Sequence, residues 1–227
     1  MPRFLIMRLD GPMQAWGGHT FEDFRPSHLF PTRSGLLGLV AACLGIARDD
    51  HARQEALATS LDFTVRADTG ALRPEAGDVV QPKRTVRLTD FHTVLAARRV
   101  DGKPSPYPVV SRREYLFDVS FTVAVAERAG ATVGLDEVAA GLRRPVFTPF
   151  LGRRACPLAR PLFEDFVDGD TARDALEKVA PQGGTVYAES ATLRSEQQLL
   201  LRDVPMHRRH RQFGTRKVYI HAGKGEA

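Results

Sequence analysis

The 227-residue chain is 43% apolar and 26% charged with a net charge of +5, a globular composition that excludes wholesale disorder. No apolar run approaches the roughly 18 residues a membrane span needs, and Met1-Pro2-Arg3-Phe4-Leu5-Ile6 lacks the long apolar region of a secretory signal. The two cysteines, Cys43 and Cys156, have no CxxC partner or His-rich neighbourhood, so no zinc or other metal site is expected and a reducing cytoplasm is the default.

Phe4 to Leu9 reads as a buried first strand ended by Gly11-Pro12. A polar loop over 17–32 leads to a helix starting near Ser34, whose apolar face runs from Leu36 to Ile46 and whose Gly and Ala positions allow close approach. A polar helix over 49–60, capped by Asp49 or Asp50, precedes an alternating strand from Leu61 to Arg66. From about 74 to 113 no sustained period survives; this basic, Pro- and Gly-punctuated insertion is too long for a plain connection. Glu114 to Val125 reads as one strand of about ten residues, and Asp136 caps a short helix to Leu142.

Strand, helix, strand, insertion, strand and helix are five of the six elements of a ferredoxin-like βαββαβ unit, the α+β fold of RNA-recognition domains. Beyond 147 the chain turns Pro- and Arg-rich, with strands expected at 185–188, 198–204 and 216–221. The expected division is a palm over 1–147, with the insertion at about 74–113 as its thumb, and a small β-rich part over 148–227. That second part is expected to be separate rather than an extension of the first sheet.

Charge is clustered. Residues 81–113 carry +6, 143–160 carry +5 and 207–217 carry +5, leaving −11 for the remainder. If brought together, the three basic segments form a footprint for a polyanion; otherwise they are three solvated loops. The helix start at Arg33, Ser34 and Gly35 offers free N–H groups, a hydroxyl and a guanidinium, which suit a phosphate, although Ser34 equally reads as a plain N-cap. Gln14 and Trp16 stand on the preceding loop, where the indole either stacks on a base or anchors the loop. Arg25 and His28 are candidates to line the same site. The insertion adds Lys83, Arg84, Arg87, His92, Thr93, Arg98, Arg99 and Lys103, with Arg112 and Arg113 at its exit; Arg153 and Arg154 sit on a Gly/Pro turn.

No HExxH, GxSxG or Walker motif occurs. His92 is one candidate general base for metal-free RNA cleavage, but no Lys-His pair accompanies it, and imidazole equally stacks on a base or bonds a phosphate.

Gly11-Pro12-Met13-Gln14-Ala15-Trp16-Gly17, the run Phe30 to Ile46, Asp90 to Leu95, Arg113-Glu114-Tyr115-Leu116 and Thr148 to Arg154 occur together in one order. In this the chain resembles the CasD family of subunits of Cascade, the type I-E CRISPR surveillance complex. The resemblance is close over about 4–163 and weaker beyond. It implies a non-catalytic RNA-binding subunit in antiviral defence that holds the 5′ handle of the CRISPR RNA and caps the backbone filament. It further implies the filament backbone subunit and the large subunit as neighbours, indirect contact with target DNA, and no cofactor. In a related type I-C system the equivalent protein cuts precursor RNA, which makes a metal-independent endoribonuclease the alternative. The segment 81–87 and the basic run His207 to Arg211 depart from the better-known member, and the latter is expected to reach nucleic acid.

Overall fold

Six consecutive buried residues, Phe4 to Leu9, form most of β1 (Arg3–Asp10), an apolar run suited to a strand covered on both faces. The computed structural model describes residues 1–18, 20, 22–68, 86–99, 101–190, 197–206 and 212–221. After β1 come the short strands β2 (Met13–Gln14), β3 (Trp16–Gly17), β4 (Phe24–Arg25) and β5 (Ser27–His28), then helices α1 (Arg33–Cys43) and α2 (His51–Ser60). Next are β6 (Leu61–Ala67), β7 (Val86–Val94), β8 (Val109–Phe117), β9 (Ser120–Glu127) and α3 (Leu135–Arg143). The chain closes with β10 (Phe163–Asp168), α4 (Ala172–Glu177), β11 (Thr185–Ala188), β12 (Gln197–Pro205) and β13 (Phe213–His221).

The fold is mixed, with antiparallel sheets and few helices. The main sheet has the order β10-β1-β9-β6-β11-β13-β12, and every neighbouring pair in it is antiparallel. On one face, Leu36, Leu37, Val40, Val138 and Leu142 from α1 and α3 pack with Leu5, Met7, Leu9, Val123 and Val125. On the other, Ala175 and Leu176 of α4 cover Phe4, Ile6 and Ala124. Each fully buried large aliphatic side chain contributes about 1.5–3 kcal/mol. Arg66 closes α4, its Nη1 donating to the carbonyls of Leu176 and Val179, while its Nε donates to Asp68 at 2.6 Å. Among the described residues no helix is long and apolar enough to cross a membrane.

Asp50 caps α2, its Oδ1 accepting from Arg53 N at 3.1 Å, within the expected helix. Four expectations need correction. First, part of the segment 74–113 is a hairpin: β7 pairs with β8 from Val86↔Phe117 to Val94↔Val109. The alternation Val86, Leu88 breaks at Asp90-Phe91, and β7 is exposed along nearly its whole length, so little apolar patterning betrays it. Pro104, Pro106 and Pro108 fall in the connecting turn, outside both strands. Second, Glu114 to Val125 is the end of one strand and the start of another. Asp118 adopts φ +52 between them, a conformation that side-chain periodicity does not report. Third, Asp136 does not cap α3. Gly134 holds the cap position, and Glu127 Oε1 accepts from Leu135 N at 2.7 Å. Fourth, pairing crosses the expected division at 147. β10 adds to β1, and β11, β13 and β12 continue the main sheet instead of forming a separate one.

Candidate nucleic-acid interface

The corner between β1 and α1 is where the sequence suggests a phosphate, and its main polar groups have internal partners. Thr32, not Ser34, is the N-cap of α1: its Oγ1 accepts from Gly35 N at 3.3 Å. Ser34 Oγ lies 3.4 Å from that hydroxyl. The anion at the helix start is the protein's own Asp203, from β12, whose Oδ2 accepts from Arg33 N at 2.7 Å. The Arg33 guanidinium is buried. It pairs with Glu189 and donates to the carbonyls of Ala58 at 2.6 Å and Leu61 at 3.0 Å.

Gln14 is fully buried, its Nε2 donating to Leu9 O at 2.8 Å and Val119 O at 2.9 Å. Its Oε1 accepts from Trp16 Nε1 at 3.1 Å. Trp16 is 1% exposed, so the indole anchors the loop rather than offering a face to a base. Gly35 serves that anchor, since a Cβ there would fall 2.9 Å from Trp16 Cε3. His28 is half-buried beside these groups; burial holds its imidazole below the ordinary value, against a pull from Asp203.

Behind the corner lies a cluster of three arginines and three carboxylates. Glu189 at the end of β11 meets Arg33, Arg128 at 3.3 Å and Arg216 at 3.4 Å. Arg128 also pairs with Asp62, and Arg216 grips Asp203 through two contacts of 2.7 and 2.8 Å. Burial pushes the Glu189 carboxyl up to about 7, with Arg33 and Arg216 pulling it down and a hydrogen bond with Asp62 raising it. Burial raises Asp62 as well, but that same hydrogen bond and Arg128 bring it below its ordinary value.

Folded Glu189 therefore binds its proton more tightly than the unfolded chain does. Its contribution to stability is complete below about pH 4.5 and is lost as pH rises through about 7. Melting curves from pH 5 to 8 are expected to show wild type losing stability relative to Glu189→Gln across that window. Parallel curves for the two proteins would refute the assignment.

The turn carrying the paired arginines divides their roles. Gly152 adopts φ +84, and a Cβ on it would lie 1.8 Å from Ala15 O, so glycine alone lets this turn press on the 13–17 loop. Arg153 then reaches inward. Its Nη1 donates to Glu114 O and its Nη2 to Arg25 O, both at 2.9 Å, and its guanidinium lies 4.8 Å from the centre of the Tyr115 ring. Arg154 is exposed and has no partner among the described residues.

The strand β7 and the tip of the β7–β8 hairpin are exposed, while Tyr115 and Leu116 near the end of β8 are buried in the core. Arg87 is half-exposed, 3.6 Å from Glu114. Arg112 forms two 3.1 Å contacts with Asp23, and Arg113 Nε donates to Ser111 Oγ at 3.0 Å. The Arg112 hydrogen bond holds the Asp23 carboxyl below its usual range. Arg25, in β4 beside β8, donates to Glu22 O and is half-buried. His92 Nε2 stands 3.0 Å from both the Tyr115 hydroxyl and Asp90 Oδ2, and Thr93 beside it is exposed. Exposed apolar side chains accompany the cations: Phe91 at 68%, Leu95 at 74% and Tyr107 at 77%. Arg98, Arg99 and Lys103 flank the tip, where Arg98 bridges to Pro104. Lys83, Arg84 and the run 207–211 lie outside the described residues. Cys43 is buried and its thiol is pushed up to about 12 by that burial, which makes it inert.

A family model for a CRISPR-associated protein, Cas5, matches residues 4–219. The chain belongs to this Cas5 family. It is 43% identical over 98% of its length, and 97% of the relative's, to the CRISPR system Cascade subunit CasD of Escherichia coli strain K12. The resemblance drawn from the motifs of the opening segment thus holds across nearly the whole chain. Among solved structures it is similar to a chain of a CRISPR RNA-guided surveillance complex, with TM-score 0.69 and 29% identity over 97% of this chain and 91% of that one. It is also similar to a Cas protein crystal structure, with TM-score 0.60 and 26% identity over 96% and 93%.

Of the residues singled out from sequence, Arg87, Thr93, Arg112, Arg113 and Arg154 have side chains turned at least partly to solvent, whereas Gln14, Trp16 and Arg33 are buried. Sequence reasoning missed Asp203, Glu189 and Glu114. For Asp203 a signal existed: it shares strand parity with Leu201, so a carboxylate stands at a core-facing position.

Proposed function

We propose that this Cas5 family member is a non-catalytic, RNA-binding subunit of a Cascade-type surveillance complex. In this reading it holds the 5′ handle of the CRISPR RNA, caps the backbone filament in the cytoplasm, and sits beside the backbone and large subunits, touching target DNA only indirectly. The observation that carries the reading is the projecting β7–β8 hairpin. It combines exposed aromatic and aliphatic side chains with arginines along β7 and the hairpin tip, as single-stranded nucleic acid requires. Family membership and the likeness to a subunit named for Cascade support the assembly.

The strand order β10-β1-β9-β6, with helices in the β1–β6 and β9–β10 connections, supports reading this part as a ferredoxin-like βαββαβ palm. The hairpin between β6 and β9 then takes the place of a thumb. Of the residues first considered, Arg25, Arg87, His92, Thr93, Arg112, Arg113 and Arg154 remain as RNA contacts. Gln14, Trp16, Arg33, Ser34, Gly35 and Arg153 build the ledge from which these project.

The test is the salt dependence of binding to a handle-sequence RNA. Arg113→Ala and Arg154→Ala are each expected to shrink the log–log salt slope by about 0.7 with melting unchanged. An unaltered slope in both would remove this interface. Arg153→Ala is expected to lower affinity and melting temperature together.

The contact between His92 and Tyr115 favours one second reading, a metal-independent endoribonuclease, because a hydroxyl and an imidazole are already in hydrogen-bond reach. Incubation with repeat RNA in chelator decides it: specific cleavage that disappears in His92→Ala would establish that activity.

A further inference from the structure

The main sheet ends in two open edges among the described residues, and they are guarded very differently. At one end β10 carries Glu164, Asp165 and Asp168 within six residues, the charge that keeps an edge from pairing with other chains. At the other end β12 runs nine residues, about 30 Å of strand, and has no charge from Gln197 to Leu201. Leu200 is 69% exposed and Leu199 39%. The strand pairs with β13 on its inner side without a bulge from Gln197↔Ile220 to Leu201↔Arg216, and no strand among the described residues pairs with its outer side. Pro205, which has no N–H, marks the far end. Arg202 and Lys217 are both exposed, and Lys217 stands directly opposite Leu200.

We propose that the outer edge of β12 is a strand-addition site for an extended segment of another protein subunit. That segment is apolar where it meets Leu199 and Leu200 and acidic where it meets Arg202 and Lys217. The inference rests on the assembly reading above and adds to it a second surface, distinct from the β7–β8 hairpin. A strand satisfies the open N–H and C=O groups and covers the leucines in one act. Nucleic acid does neither well, because it needs flat aromatic faces for its bases and cations along the groove, and the large apolar side chains exposed from Gln197 to Leu201 are leucines. A second copy of this chain would bring the same cations to the contact and gains no complementarity.

Two measurements on the reconstituted complex test it. A photo-crosslinking amino acid replacing Leu200 is expected to give one protein adduct, mapping to a single segment that contains acidic residues. In parallel, the triple variant Leu200→Lys, Arg202→Glu and Lys217→Glu is expected to reduce occupancy of the adducted subunit more than about tenfold in native mass spectrometry. Melting of the isolated chain should fall only slightly, through loss of the Arg202 Nε donation to Phe213 O, and binding of handle RNA should be retained, since all three side chains are exposed. An adduct only to RNA or to a second copy, or no adduct in the complete complex, would overturn the proposal. So would full subunit occupancy with the triple variant. Should the unaltered chain fail to enter any complex, the assembly reading falls and this inference falls with it. An altered chain that keeps its RNA but shows none of the expected effects sinks the inference alone.

Discussion

Arg33→Ala is expected to cost about 3–5 kcal/mol of folding stability, because it strands Glu189 and leaves two buried carbonyls without their donor. For a chain of this size the melting temperature should fall by roughly 10 °C. Arg33→Lys should recover only part of it, since an ammonium cannot span Glu189 and the carbonyls of Ala58 and Leu61 as the planar guanidinium does. The outcome separates two roles for the same residue. A structural Arg33 predicts lost stability, with RNA affinity falling only as the folded fraction falls. A phosphate ligand would predict unchanged melting and a shallower salt slope, and that result would return Arg33 to the interface.

Trp16→Ala is expected to cost a similar amount, about 3–5 kcal/mol, through the lost burial of a fully enclosed ring. Part of that cost comes from Gln14, whose Oε1 loses its donor, and part from the space opened beside Gly35. Trp16 is the only tryptophan in the chain, so wild-type emission reports on it alone. Handle RNA should leave the emission maximum and intensity nearly unchanged. Strong quenching on RNA addition would mean that the indole stacks on a base and that the loop opens to allow it.

What could be read from the sequence was governed by local pattern. The apolar run Phe4–Leu9, the small-residue helix after Thr32 and the alternation from Leu61 each carry their own period, and they form as expected. The strand β10 was invisible because Phe163-Glu164-Asp165-Phe166-Val167-Asp168 has the acids of a guarded edge and no clean alternation. The strand β7 was hidden because it is exposed along nearly its whole length, so nothing selects alternation along it.

Electrostatic roles were the least legible. Arg33 and Arg153 read as cations available to a ligand, yet both are consumed by groups more than twenty residues away. Composition gives a charge its sign but not its partner. Arg154, adjacent to Arg153 and chemically identical, points to solvent only because the Gly152 turn aims its neighbour inward.

The cap that Asp203 places on α1 also bears on how the chain is made. Synthesis proceeds from the N-terminus, so Arg33 leaves the ribosome 156 residues ahead of Glu189 and 170 ahead of Asp203. Until those carboxylates emerge, the first helix keeps only its local Thr32 cap, and the Arg33 N–H and guanidinium lack their acidic partners. A nascent chain halted before residue 189 can assemble β1, β9, β6 and β10, but it cannot close the interior around Arg33. Folding of the later strands therefore completes the first helix, because the charge buried at its start gains its carboxylate partners only from β11 and β12.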